Sequence, residues 1–156
     1  MGAFAGKKEI MRLIAPSGKV YQAGTFSGNP VSVAAALATL KLLSEKGASF
    51  YQMMAAKCQT IVNPLKKVVG ELRLNLQIVS LASMFQIFFT QTPVYNYNTV
   101  KTADSARFRV YHAELLKKGV FVPPSQFETC FVSSVHSAED LQKTAEIFST
   151  VLENLK

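Results

Sequence analysis

Apolar positions along this chain fall first at helical spacing, then at alternate positions, then at helical spacing again. From Pro30 to about Lys46, the residues Val33, Ala36, Leu37, Leu40 and Leu43 share one helical face. Ala34, Ala35 and Ala38 make the other sides small and apolar, so the pattern predicts a helix sandwiched between layers. Asn29 is a suitable N-cap and Pro30 a suitable first helical residue, because proline has no amide hydrogen to leave unpaired there. Gly47 is placed to close the helix. A second helix is predicted from about Ser49 to Val69, where Phe50, Met54, Cys58, Ile61, Leu65 and Val68 form an unbroken seam at spacings of four and three. The methionines read as core filler. Pro64 removes one rung of the hydrogen-bond ladder and is expected to kink or split this helix.

The period then changes. Leu72, Leu74, Leu76 and Ile78 alternate with Arg73, Asn75 and Gln77, which predicts a strand with one wet face. Met84 to Thr90 reads as a second, more buried strand, in which Gln86 must find a partner or point outward. The Pro93–Thr102 segment reads as a loop. Helical spacing returns from about Ala103 to Lys118, with Phe108, Tyr111 and Leu115 on one face and Gly119 closing it. Val120–Val122 is expected to be a short strand paired with Phe131–Ser134, which puts the Pro124–Glu128 loop at the sheet's end. Ser137 followed by Asp140 makes a capping box for a last helix, whose buried face is Leu141, Ala145, Phe148, Val151, Leu152 and Leu155. Residues 1 to 24 form an irregular lead-in with a short helical stretch over Lys8–Leu13. This order predicts an α+β fold: a small, mostly antiparallel sheet covered by helices.

Composition narrows the functional classes. The chain has 156 residues, 49% of them hydrophobic and 17% charged, enough apolar surface for a core and too much for disorder. Its formal net charge of +7 raises the question of nucleic acid. The lysines, however, occur only as scattered pairs (Lys7-Lys8, Lys66-Lys67, Lys117-Lys118) without interleaved aromatics, so neither nucleic acid nor a membrane surface is expected as a partner. The two cysteines, Cys58 and Cys130, are too few for a disulfide framework or a zinc site and fit a reducing compartment. No apolar run is long enough for a membrane helix, and the start does not read as a signal peptide.

Candidate chemistry is sparse. The loop Tyr21 to Pro30 is polar and glycine-containing and runs into a helix start, where free amides and the helix dipole can hold an anion; Thr25 and Ser27 add hydroxyls. Glu128 follows Pro123-Pro124 and stands between Phe127 and Cys130, where a carboxylate can meet a cationic amine, although the residues alone favour an ordinary surface-loop acid. His112 and His136 lie far apart without metal-ligand spacing, and neither has a serine and an acid to form a triad. No metal site and no nucleotide fingerprint is expected.

The wording of several segments is more specific than their spacing. Tyr21-Gln22-Ala23-Gly24-Thr25-Phe26-Ser27-Gly28-Asn29-Pro30 resembles the YQAGT-x-SGNP segment of the glutamate-1-semialdehyde aminomutase family, pyridoxal-phosphate (PLP) enzymes among the class III aminotransferases. Gly2-Ala3-Phe4-Ala5-Gly6-Lys7-Lys8-Glu9-Ile10-Met11 is similar to the family's GA[FY]-G-[KR]-x-EIM. Ser83-Met84-Phe85, Gly119-Val120-Phe121, Pro124-Ser125-Gln126-Phe127-Glu128 and Ser134-Val135-His136-Ser137-Ala138-Glu139-Asp140 follow in the family's order.

The resemblance implies the C-terminal part of such an enzyme. Residues 1–46 would be the tail of the large PLP-binding domain with a linking helix, and 47–156 the small C-terminal domain. It implies PLP as cofactor, with Gly24 and Thr25 meeting the phosphate of a neighbouring subunit's cofactor in a homodimer. It implies a small-molecule substrate, with Glu128 near it and Ser125 and Gln126 as positioning residues. The family's Schiff-base lysine lies a few residues upstream of the Gly-Ala-Phe segment, and Lys7 and Lys8 do not match it. No catalytic residue is therefore expected within the chain, and the chain alone is expected to be inactive. The implied activity is conversion of glutamate-1-semialdehyde to 5-aminolevulinate for tetrapyrrole synthesis, in the cytoplasm or, for a plant protein, a plastid. The competing expectations are another class III aminotransferase and a non-enzymatic α+β association module.

Overall fold

The computed structural model describes residues 2–155, which form two compact units divided between Gly47 and Ala48. The first unit opens with a one-turn helix, α1 (Lys8–Met11), followed by turns and the exposed loop that leads to Asn29. There α2 (Pro30–Glu71) begins. The Asn29 side chain accepts the Ser32 amide at 3.1 Å, and the Asn29 carbonyl accepts the Val33 amide at 2.9 Å, so the expected N-cap forms.

Within α2 only Gly47 leaves helical geometry, at φ 62° and ψ −161°, a region essentially open to glycine alone. Two helical stretches are thus joined at the residue expected to end the first. Pro64 keeps helical dihedrals and does not split the second stretch. Within these residues the apolar sides of the first stretch are uncovered: Val31, Leu37, Leu40 and Leu42 are all exposed. Among the described residues of the first unit, none is fully buried.

The second unit holds the core. Cys58, Ile61, Val62 and Leu65 of α2 pack with Phe108, Tyr111 and Leu115 of α4 (Ser105–Lys117). Leu141, Phe148, Val151 and Leu152 of α5 (Ala138–Asn154) complete the helical side. Against these helices lies a three-stranded antiparallel sheet in the order β1-β2-β3, made of β1 (Gln77–Leu81), β2 (Met84–Phe88) and β3 (Cys130–Phe131). The register sets Val79 opposite Gln86 and Phe85 opposite Cys130. Phe85 and Ile87 point into the helical core, so Met84, Gln86 and Phe88 face the other way. The expected α+β architecture is the observed one. Tyr111 sits amid Phe89, Phe108 and Phe148, with ring centroids 5.5 to 6.0 Å away.

Three local expectations are corrected. The alternation over Leu72–Ile78 is mostly a helix terminus. Arg73 takes φ 49°, the Leu74 amide bonds to the Val69 carbonyl at 3.0 Å, and the Arg73 amide bonds to Gly70 at 3.3 Å. This is the left-handed cap that satisfies the last carbonyls of α2, and the strand begins only at Gln77. The same device ends α4, where Gly119 has φ 83° and Val120 bonds to Leu115 at 3.0 Å. Val120–Val122 is therefore not a strand. The Val122 carbonyl is bonded instead to His112 Nε2 at 3.1 Å, and β3 pairs with β2. Finally, the Pro93–Thr102 loop contains a one-turn helix, α3 (Tyr97–Val100), held by reciprocal Asn96 and Thr99 bonds. The expected capping box of α5 forms between Ser137 and Asp140, and α4 is capped by Asp104, a residue not singled out from the sequence.

Candidate functional site

The segment Ser125–Glu128 folds into a braced turn between α4 and β3. Ser125 supplies two of the braces: its hydroxyl accepts the Phe127 amide at 3.2 Å and its carbonyl accepts the Glu128 amide at 3.1 Å. Short polar side chains make this kind of local bond readily, which is why they favour turns. Gln126 is turned inward and buried, with its side-chain oxygen unpartnered among the described residues. Phe127 is half exposed and packs on Tyr97 of α3, ring centroids 5.5 Å apart. Glu128 is exposed, and among the described residues its carboxylate has no ion-pair partner.

Behind the turn stands Gln86 of β2. Its amide nitrogen donates to the carbonyls of Gln126, at 3.3 Å, and of Glu128. Its amide oxygen accepts the Ile87 amide at 3.2 Å and the Cys130 thiol at 3.8 Å. The partner demanded by the sequence therefore exists, and Gln86 is buried beneath the turn on the sheet face opposite the helical core. Gln86, Phe88, Tyr97, Gln126, Phe127 and Glu128 line most of a small pocket of about 220 Å³. Tyr97 and Phe88 were not singled out from the sequence. Phe88 read only as strand core and Tyr97 only as loop, and their placement beside the turn needs the register of β2 and the capped turn at Asn96.

Beneath this region both cysteines are free thiols and buried. Burial raises the Cys58 thiol above its ordinary value, and burial together with the charge of Cys58 pushes Cys130 up to about 12. His136 is structural, as its surroundings require: its Nδ1 accepts the Ser133 amide at 3.1 Å. Lys57 Nζ donates to the carbonyls of Ser134, at 2.8 Å, and His136, at 2.6 Å, fixing the approach to α5. Among the described residues no group of three or more His, Cys, Asp or Glu could hold a metal ion, and no helix is long and apolar enough to cross a membrane.

Gly24 and Thr25 stand in the first unit, in a loop described on its own. The Ser27 amide bonds to the Gly24 carbonyl at 2.9 Å and the Asn29 amide to Phe26 at 3.1 Å, which closes two successive turns before α2. Among the described residues the amides of Thr25, Phe26 and Gly28 have no acceptor. A Cβ on Gly24 would lie 2.8 Å from Ser27 Oγ, so a side chain there would require that hydroxyl to turn aside. Gly24, Thr25, Ser27 and Ser32 line an open hollow of about 820 Å³ at the helix start. Free amides, two or three hydroxyls and the positive end of a helix, with no acid in the lining, suit a phosphate group.

The fold is that of PLP-dependent transaminases. A transaminase solved with PLP bound superposes with a TM-score of 0.74 at 21% identity, over 97% of this chain and 34% of that one. An omega-transaminase from Sphaerobacter thermophilus gives 0.74 at 21%, over 96% and 34%. The family model of class III aminotransferases matches residues 1–152, and the chain belongs to that family. Among its relatives, the glutamate-1-semialdehyde 2,1-aminomutase of Methanobrevibacter smithii is 52% identical over 98% of this chain. Those of Methanothermobacter thermautotrophicus and Methanocaldococcus jannaschii are 46% and 41% identical over all of it. The chain spans 36% of the length of each of these relatives.

Proposed function

We propose that these residues are the C-terminal portion of a PLP-dependent glutamate-1-semialdehyde 2,1-aminomutase, which makes 5-aminolevulinate for tetrapyrrole synthesis. The observation that carries this reading is the 41–52% identity to aminomutases along nearly the whole chain. In this reading residues 1–46 close the large cofactor-binding domain and 47–156 form the small domain. The enzyme is a homodimer acting in the cytoplasm, or a plastid in a plant.

Bound PLP would supply the electron sink and the amine exchanged between adjacent carbons of the substrate. The chain's own residues bind and orient. Thr25 would donate its amide and hydroxyl to the cofactor phosphate of the neighbouring subunit, and Gly24, lacking a side chain, lets the phosphate come close. Glu128, exposed and without a counter-ion, offers its negative charge to the cationic amine of the substrate. Ser125 and Gln126 hold the turn that carries it. None of the lysines present matches the family's Schiff-base lysine, so these 156 residues alone turn nothing over.

The test is a chimera in which this chain replaces the matching third of the M. smithii aminomutase. It should form 5-aminolevulinate, while this chain alone should form none. Thr25→Val should weaken PLP retention about tenfold or more, the loss of one charge-assisted contact. A chimera that binds PLP but only transaminates would assign the chain to another class III enzyme.

A further inference from the structure

We infer that Gln86 is a positioning residue that fixes the direction in which Glu128 is presented, an inference that rests on the reading of Glu128 as substrate-facing. A glutamine in the middle strand of a sheet, only 7% exposed, is costly unless its amide is fully paired. Here it is paired in a particular way. Both bonds from Nε2 go to main-chain carbonyls two residues apart, those of Gln126 and Glu128. The intervening residue is forced outward, and Phe127 accordingly projects to Tyr97. The side chain of Glu128 leaves on the solvent side of the same curl.

Which end of the amide is nitrogen follows from the network: two carbonyls need a donor, while the Ile87 amide and the Cys130 thiol need an acceptor. No other residue meets this demand. Asparagine is one methylene too short, methionine and leucine leave both carbonyls unpaired, and an ionised glutamate repels them. Since Gln86 is also a wall of the pocket beside Glu128, loosening it alters the site without touching the carboxylate itself.

Two measurements separate this inference from the reading it rests on. In the 156-residue chain, Gln86→Met should speed amide exchange at Phe127 and Glu128 about tenfold and leave α5 unchanged, as expected for loss of a local brace. Unchanged exchange at the turn overturns the inference. In the chimeric holoenzyme, Gln86→Met should raise KM for the semialdehyde with PLP retention intact, and adding it to Glu128→Gln should cost little more than Glu128→Gln alone. A silent Glu128→Gln removes the reading of Glu128. A damaging Glu128→Gln beside a silent Gln86→Met removes the inference about Gln86. Should Gln86→Met fail to fold, Gln86→Glu decides: its KM defect must lessen as the pH falls, when the protonated acid regains a donor. A pH-independent defect would mark a merely structural role.

Discussion

At the scale of single residues, the second unit is defined as much by what its polar atoms lack as by what they find. The Tyr111 hydroxyl is buried without a partner among the described residues, and burial drives its ionisation far above the ordinary range. Its ring is surrounded by Phe89, Phe108 and Phe148, so the ring supplies the packing while the hydroxyl only loses water. Tyr111→Phe is therefore expected to stabilise the fold by about 1 kcal/mol, read from the denaturant midpoint at unchanged slope. The two thiols give a second expectation. Both are held protonated by burial at neutral pH, and the thiolate is the reactive species. Cys58 and Cys130 should resist an alkylating reagent in the native chain and react fully in denaturant. Rapid native labelling would show the core to be open.

At the scale of elements, the helix ends decide both the topology and what could be read in advance. Arg73 occupies a left-handed position that glycine holds without strain, so Arg73→Gly should raise stability by about 0.5–1 kcal/mol. A thermal melt would show this as a higher midpoint with the same helix content. The capping box of α5 predicts a pH effect. Bonds from the Ser137 hydroxyl and amide to the Asp140 carboxylate, at 2.7 and 3.0 Å, lower its pKa below the ordinary 3.8. A lowered folded pKa means the contribution is present above the unfolded value and disappears as pH falls through the folded one. Wild type should thus out-melt Asp140→Asn at neutral pH and lose that advantage in acid.

Helices, caps and seams were legible because their period and end residues carry local physics. The strands were less so. Leu72, Leu74 and Leu76 alternate, but Leu74 and Leu76 do so while folding back over the end of a helix, a bond pattern the sequence does not signal without glycine. At the site, Ser125, Gln126 and Glu128 were legible as a motif. Gln86 was legible only as an obligation, because its partners are main-chain atoms forty residues away.

At the scale of the molecule, burial is distributed unevenly. Every residue of the hydrophobic core lies within Ala48–Lys156, and the first unit buries none of its described residues. Its helix leaves Val31, Leu37, Leu40 and Leu42 in water, together with Tyr21 and Phe26 of the preceding loop. Exposed apolar surface of this kind drives association. The isolated chain should self-associate in light scattering and bind an apolar dye, and a dye-silent monomer would overturn this. Limited proteolysis should cut first within residues 2–47 and leave a resistant fragment from about residue 48 onward.

The grip of Gln86 on Gln126 and Glu128 reaches carbonyl oxygens, which every amino acid possesses. The path of the turn past Phe127 and Glu128 is thus independent of the side chains those two positions carry. The exposed side chains at 127 and 128 can be exchanged while the chain keeps its course, so a protein built this way can change what it selects without having to relearn how to fold. Adaptation to a new substrate would then proceed by single replacements on a turn whose course stays fixed.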